Sequence, residues 1–339
     1  MKLAFITQEL DSRHPALAAT TAQVAALARR VDELVVLADS VVPAALPENC
    51  RARTFHAGTR AGRGTRFAAA LARELPGLDG VVAHMCPIYA VLAAPLIRPL
   101  RIPLVLWFAH WRASRLLRMA ERTSTAVVSV DRRSFPLPSG KLLAIGHGID
   151  LSEFGCPSRD GGERLRLLAL GRYSPSKGLD IVLRALAQVD ARLTVHGPAL
   201  TEKEREHRAE LKALVGELGL SERVRLEGAV AHSEVAALLS EADALVNNMR
   251  AGAPDKVVYE AAASCLPVLA SNPVFDDLLP PRLRFARDSA AQLAERLREL
   301  AELDSAARAA LGRDLRRRVE EAHAVDGWAE GVLRAAGLA

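Results

Sequence analysis

Met249-Arg-Ala-Gly252-Ala-Pro-Asp255-Lys256-Val257-Val258-Tyr-Glu260-Ala-Ala-Ala-Ser264-Cys265-Leu-Pro-Val-Leu-Ala-Ser271 is the stretch whose reading decides the fold of this chain. A polar loop carrying Gly252 and Pro254 closes on Asp255, a residue type favoured at helix N-caps. The alanine-rich run 256–264 predicts a short helix, and the apolar run 267–270 a buried strand. A loop feeding a helix N-terminus offers unpaired backbone N–H groups and the positive end of the helix dipole, which suits an anion. Lys256 adds charge at that mouth, Glu260 stands one turn further in, and Ala261, Ala262 and Ala263 let the helix lie close to what it covers. The plain alternative is an ordinary α/β connection in which Glu260 only pairs with Lys256. Lysine before glutamate is, however, the weaker order for such a pair.

Upstream, residues 166–170 predict a strand running into Gly171-Arg172-Tyr173-Ser174-Pro175-Ser176-Lys177-Gly178 and a helix to Leu186. This is not a nucleotide P-loop, because the lysine precedes the final glycine and no Ser/Thr follows at the required place. It is a glycine-framed loop after a strand, with an arginine and a lysine five apart, suited to gripping a diphosphate. Two solvated cations on a turn are the alternative. Strands at 193–196, 224–226 and 244–246 and helices at 201–218, 232–240, 289–300, 305–322 and 325–336 complete the second half. In the first half, strands at 2–7, 34–38, 51–55, 80–84, 102–108, 126–130 and 142–145 alternate with helices at 15–30, 63–75 and 111–122. This alternation marks parallel sheets covered by helices. The polar run 156–163 reads as an interdomain linker. His110 follows the carboxyl end of a strand, where open α/β sheets hold ligands. Structural hydrogen bonding competes for that histidine, and for His84, which also ends a strand.

A length of 339 residues predicts two domains, each with its own core. Half the residues are hydrophobic and a quarter charged, a soluble globular composition. The apolar run 81–97 is too short to span a membrane and is broken by His84, Pro87 and Pro95. No apolar leader precedes the first strand. Cys50, Cys86, Cys156 and Cys265 form no close pair with metal or redox spacing, so a reduced, cytoplasmic protein with ordinary thiols is expected. Residues 1–150 carry 19 Lys/Arg against 11 Asp/Glu, although the whole chain is only +5. The basic half suits an anionic partner, such as a phosphorylated acceptor or the inner face of a membrane touched peripherally. An arginine-loving composition gives the same count. Nucleic acid is a poor match, with aromatic residues at 4% and no basic–aromatic interleaving.

The Gly171–Gly178 loop, the run Asp255-Lys256-Val257-Val258-Tyr259-Glu260-Ala261 and Leu266-Pro267-Val268 together resemble glycosyltransferase family 4. His110, the turn 146–150 with Phe154, and 224–228 fall in that family's order. The resemblance spans essentially the whole chain. It implies the GT-B fold, two Rossmann-like doubly wound parallel-sheet domains facing a central cleft. They are expected at 1–155, the acceptor side, with the helix at 322–339 returning to it, and at 156–321, the donor side. The implied activity is metal-independent, retaining transfer from a nucleoside-diphosphate sugar, UDP by family frequency, with no cofactor. The acceptor would be a small molecule, a glycan or a lipid-linked species. By the same resemblance Gly171, Arg172 and Lys177 hold the diphosphate and His110 meets the donor sugar. Glu260 binds the ribose hydroxyls, and Val224 lies with the segment lining the base. Gly252, Asp255, Lys256, Val257 and Val258 contact phosphate or sugar.

Three departures stand out. Gly252 replaces a glutamate that usually touches the transferred sugar, leaving Asp255 as the nearest carboxylate. Cys265 stands where glycine is favoured, at a strain on the order of 1 kcal/mol if φ is positive there. The paired glycines expected after the first strand are missing from 9–21. A non-catalytic sugar-nucleotide-binding subunit, or another GT-B enzyme such as a sugar-nucleotide epimerase, stays open.

Overall fold

A computed structural model describes residues 1–10, 19–41, 46–159, 162 and 164–339. In chain order they form β1 (Lys2–Leu10), α1 (Ala19–Ala28), β2 (Glu33–Val41), β3 (Cys50–Thr54), α2 (Arg60–Glu74), β4 (Gly80–His84), α3 (Pro87–Ile97), β5 (Leu104–Trp107), α4 (Arg115–Thr123), β6 (Ala126–Ser129) and β7 (Leu142–Ala144). There follow β8 (Leu165–Leu170), α5 (Leu179–Leu186), β9 (Ala191–His196), α6 (Glu202–Glu217), β10 (Val224–Glu227), α7 (His232–Glu241), β11 (Ala244–Asn247), α8 (Lys256–Ala263), β12 (Val268–Ala270), α9 (Ala290–Glu302), α10 (Ser305–His323) and α11 (Val325–Ala336). They divide into one unit of Met1–Asp150 with Ala322–Ala339 and another of Leu151–Glu321.

The first unit is a parallel sheet in the order β3-β2-β1-β4-β5-β6-β7. Its inner strands are continuous apolar runs because helices cover both faces; Leu3, Ala4, Phe5 and Ile6 are fully buried. The expected helix at 15–30 is seen as Ala19–Ala28, residues 11–18 lying outside the described ones. The helix expected at 111–122 begins only at Arg115, because the Ser114 hydroxyl accepts from Leu117 N at 3.0 Å and caps it there. The turn 146–150 admits the closing helix. Gly146 has φ +80°, and a Cβ there would run into the Ala322 carbonyl. Val325 N donates to Ile149 O at 2.9 Å, and α11 then buries Trp328 edge-on against Trp107.

The second unit has a parallel sheet in the order β10-β9-β8-β11-β12. Strand order reverses between β8 and β11, and such switch points open a crevice beyond the carboxyl ends of the strands. Helix α6 carries a full capping box, Thr201 accepting from Glu204 N while Glu204 accepts from Thr201 N.

Two sequence expectations fail here. The linker expected at 156–163 is, over its described residues, a strap fixed to the second unit. The Arg159 guanidinium donates to the carbonyls of Leu239, Ala242, Ser264 and Cys265 at 2.9–3.2 Å. The cysteines are not all free thiols either. Cys156 and Cys265, 109 residues apart, form a disulfide with Cα atoms 5.1 Å apart, a separation the bond accepts. Sequence spacing carries no sign of it, because the fold alone brings the strap to the end of α8. Among the described helices none is long and apolar enough to cross a membrane.

His84 ends β4 inside the core, between Phe5 and the stacked Trp107 ring, with Thr7 Oγ1 3.4 Å from its Nδ1. Burial pushes its pKa from 6.5 down to about 3. Below pH 6.5 the unfolded chain takes up a proton that the folded chain refuses until about pH 3. Across that window this residue therefore removes about 1.4 kcal/mol of stability per pH unit. Urea unfolding at pH 7 and pH 5 is expected to give a smaller acid loss, by about 2 kcal/mol, in His84→Asn than in the parent. Equal losses would show that His84 is not the group responsible.

Candidate functional site

The residues singled out in the second unit gather at its switch point. β8 ends at Leu170, and Gly171, at φ +130°, turns the chain while its N–H donates to His196 O at 2.9 Å. Only glycine suits the position, since a Cβ would occupy the space of the Lys177 side chain. A single 3-10 turn, Pro175–Lys177, capped by Ser174, then carries Lys177 back over the strand end. Its Nζ donates to Leu170 O at 3.3 Å and pairs with Asp255 Oδ2. Gly178, at φ +55°, packs its carbonyl on Asn248 Nδ2 at 2.9 Å.

The facing loop follows β11, whose last residue, Asn247, is buried. Its amide donates to the same Asp255 Oδ2 at 2.7 Å. Asp255 does stand at the N-cap of α8, but its carboxylate caps no backbone N–H of that helix. It is committed to Lys177 and Asn247, so the amides at the start of α8 are left for another acceptor. Lys256 Nζ lies 2.5 Å from Glu260 Oε1, yet that oxygen, in a side chain only 6% exposed, lacks hydrogen-bond geometry to any partner. The pairing with Lys256 that the sequence left as the plain alternative is nonetheless present, and it supplies the counter-charge of this buried carboxylate.

The remaining candidates divide. Val257 and Val258 turn their side chains into the core, and Val258 N is already bonded to Asp255 O, so of the two only the Val257 amide can meet a ligand. Gly252 lies at φ +79° with its N–H on Asn272 Oδ1 at 3.2 Å, a left-handed position that glutamate would strain. Arg172 is half exposed and paired with Glu204 at 3.1 Å. Val224 is not brought to the site. It starts β10, about 10 Å along the strand from its carboxyl end, whereas Gly228 accepts from Gly197 N beside the Gly171 turn. Cys265 does take a positive φ, +53°.

Sequence reasoning missed several supports. Arg287 donates to Ser176 O at 3.2 Å and Asn248 O at 3.4 Å, tying the two loops together. Buried Asn272 donates to Arg250 O and Ala253 O, fixing the loop that holds Gly252. Glu153 accepts from His232 Nε2 at 3.2 Å, which with nearby Lys256 holds its pKa below the usual range. The paired asparagines closing an apolar strand were a readable signal; Arg287 and Glu153 had none.

His110 belongs to the first unit. Its Nδ1 accepts from Arg112 N at 3.0 Å, so its proton is assigned to Nε2, and its ring stacks on Trp111. Burial, and then Arg112, lower its pKa, so it is neutral at pH 7 and offers an Nε2–H donor. Among the described residues no group of three or more His, Cys, Asp and Glu could hold a metal ion.

Lys177 lies in a loop, where a substitution ordinarily costs little stability. The structure makes it the counter-charge of a mostly buried carboxylate. Lys177→Ala is therefore expected to cost about 1–3 kcal/mol in chemical unfolding as well as anion binding. Adding Asp255→Ala should restore stability but not binding. Recovery of both in the double variant would take Lys177 out of the site.

Residues 158–318, nearly the whole second unit, match the family described as Glycosyl transferases group 1. No curated protein matches the chain. Among similar solved structures is sucrose-phosphate synthase from Thermosynechococcus elongatus, 17% identical with 98% of each chain covered and a TM-score of 0.80. HepE from Anabaena, in complex with UDP-glucose, is 18% identical over 99% of each chain with a TM-score of 0.78. An alpha,alpha-trehalose-phosphate synthase (UDP-forming) from Burkholderia xenovorans, in complex with glucose-6-phosphate, is 14% identical over 99% of each chain with a TM-score of 0.72. At such identities the structural likeness establishes the GT-B fold alone. The chain thus has the GT-B fold, and within its second unit residues 158–318 match the family described as Glycosyl transferases group 1.

Proposed function

We propose that the chain transfers a sugar, with retention at the anomeric carbon, from UDP-sugar to a small-molecule, glycan or lipid-linked acceptor without a bound metal. The observation that carries this reading is Lys177, anchored by Leu170 O and Asp255 beside an α8 N-terminus that no side chain caps. Fixed donors and a helix dipole aimed at one point stabilise charge as it gathers on a departing diphosphate, the task a metal performs in other transferases. Lys177 and Arg172 supply the positive charge, Gly171 the close backbone approach, and Lys256 and Val257 the amides. Glu260, its charge balanced by Lys256, accepts from the ribose hydroxyls, a role assigned by resemblance. Gly252 contacts the sugar through backbone only. His110 is assigned to the donor sugar by resemblance, as a neutral donor rather than a base. UDP is favoured by HepE, a similar fold solved with UDP-glucose.

An anionic acceptor, soluble or at the inner membrane face, suits the basic first half. A cytoplasmic site is retained on the condition that the Cys156–Cys265 bridge can exchange with cellular thiols.

Thermal shift and calorimetry with UDP, GDP, ADP, TDP and their sugars test the donor. UDP at a hundredfold excess over its Kd should add about 2.7 kcal/mol of stability, in the presence of chelator. NMR of the product should show the donor's anomeric configuration. Stabilisation by another nucleotide alone, a need for divalent cation, or an inverted product would each overturn the corresponding part.

A further inference from the structure

The disulfide is not used by the proposed chemistry, and its surroundings set it apart. Cys265 follows α8 directly, is 4% exposed and keeps a left-handed backbone. Its carbonyl is pinned by Arg159 and packed so tightly by α10 that a Cβ on Gly312 would collide with it. Cys156, by contrast, is exposed on the strap by which the chain enters the second unit. Both sulfur-bearing residues line an open cavity of about 420 Å³ whose charged walls are Arg159, Arg308, Arg313 and Asp243. Asp243 is neutralised by Arg166 at 2.8 Å, so the cavity is electropositive. Positive surroundings favour thiolates as attacking and leaving groups.

We propose that Cys156 is a site of thiol–disulfide exchange with a dithiol reductant, and that the state of the bond governs how firmly α8 is held. A thiolate of the reductant enters through the cavity and attacks Cys156 Sγ. The Cys156–Cys265 bond breaks, its electron pair leaves with Cys265 Sγ as thiolate, and that sulfur is then protonated. The second thiol of the reductant attacks the mixed disulfide, joins its own two sulfurs and releases Cys156 as thiolate. The chain gains two electrons and the dithiol becomes a disulfide. The bridge closes a long loop, so reduction leaves the strap held to the end of α8 by hydrogen bonds, those of Arg159 and those of Arg316, whose Nη1 donates to both Phe154 O and Ala263 O. A positive φ on a non-glycine residue then has less to maintain it. Because α8 begins at Lys256, loosening its far end reaches the amides assigned to the donor.

Full-length protein, oxidised or treated with dithiothreitol, provides the test. Alkylation and mass spectrometry are expected to label Cys156 and Cys265 after treatment while the buried Cys50 lags. The melting temperature should fall on the order of 10 °C. Hydrogen exchange at amides 257–265 should speed by about tenfold or more relative to the β8–β9 core. Cys156→Ser should behave as the reduced form with or without reductant. Resistance of the bond to dithiothreitol in the folded protein, or unchanged exchange at 257–265 after reduction, would overturn the proposal. Neither readout needs a nucleotide, so failure of the UDP reading is detected separately.

Discussion

Lys177 and Asp255 meet where the second sheet reverses its strand order, and the site hangs on that ion pair. Each charge is mostly buried and would be costly alone. Together they join the loop after β8 to the loop after β11. Asn247 holds the carboxylate from the strand end, and Leu170 O holds the ammonium. A side chain that could have capped α8 is thereby spent elsewhere, and the helix start stays open to an anion. Glycine at 171 is required by the room Lys177 takes, and glycine at 178 by the approach of Asn248. One electrostatic contact thus goes with one obligatory glycine, one uncapped helix and one polar strand terminus.

Around this centre, tension is distributed rather than removed. Gly252 and Cys265 bracket α8 with left-handed residues, one a glycine and one not. Asn272 steadies the first bracket, while Arg159, α10 and a disulfide steady the second. Functional sites commonly hold such conformations because the surroundings over-determine them. In the first unit the corresponding constraint is packing: two glycines in the turn 146–150 let α11 close over Trp107.

Alternation of apolar runs and amphipathic helices made both sheets legible before any coordinates, and the last helix matched residue for residue. The Gly171–Gly178 and Asp255–Glu260 runs were legible as loop and helix start because their glycines and N-cap residue sit at fixed offsets, and the structure joins them through Lys177 and Asp255. What escaped detection were effects without local pattern. Asp255 satisfies every rule for a capping residue, yet a lysine 78 positions away claims it. Cys156 and Cys265 are distant in sequence, and no spacing rule joins them. Val224 was placed by the family's order, and the structure puts it at the start of β10, away from the strand ends where Lys177 and Asp255 meet. Arg287 reaches the site from a segment with no motif.

The central claim is that a diphosphate sits between the Lys177 loop and the start of α8. Titrating UDP into isotope-labelled protein and following backbone amides by NMR tests it most directly. The account predicts the largest shifts at residues 171–178 and 252–258, with Val257 prominent and Val224 little changed. Shifts centred on the α6–β10 face, with 171–178 and 252–258 silent, would contradict it.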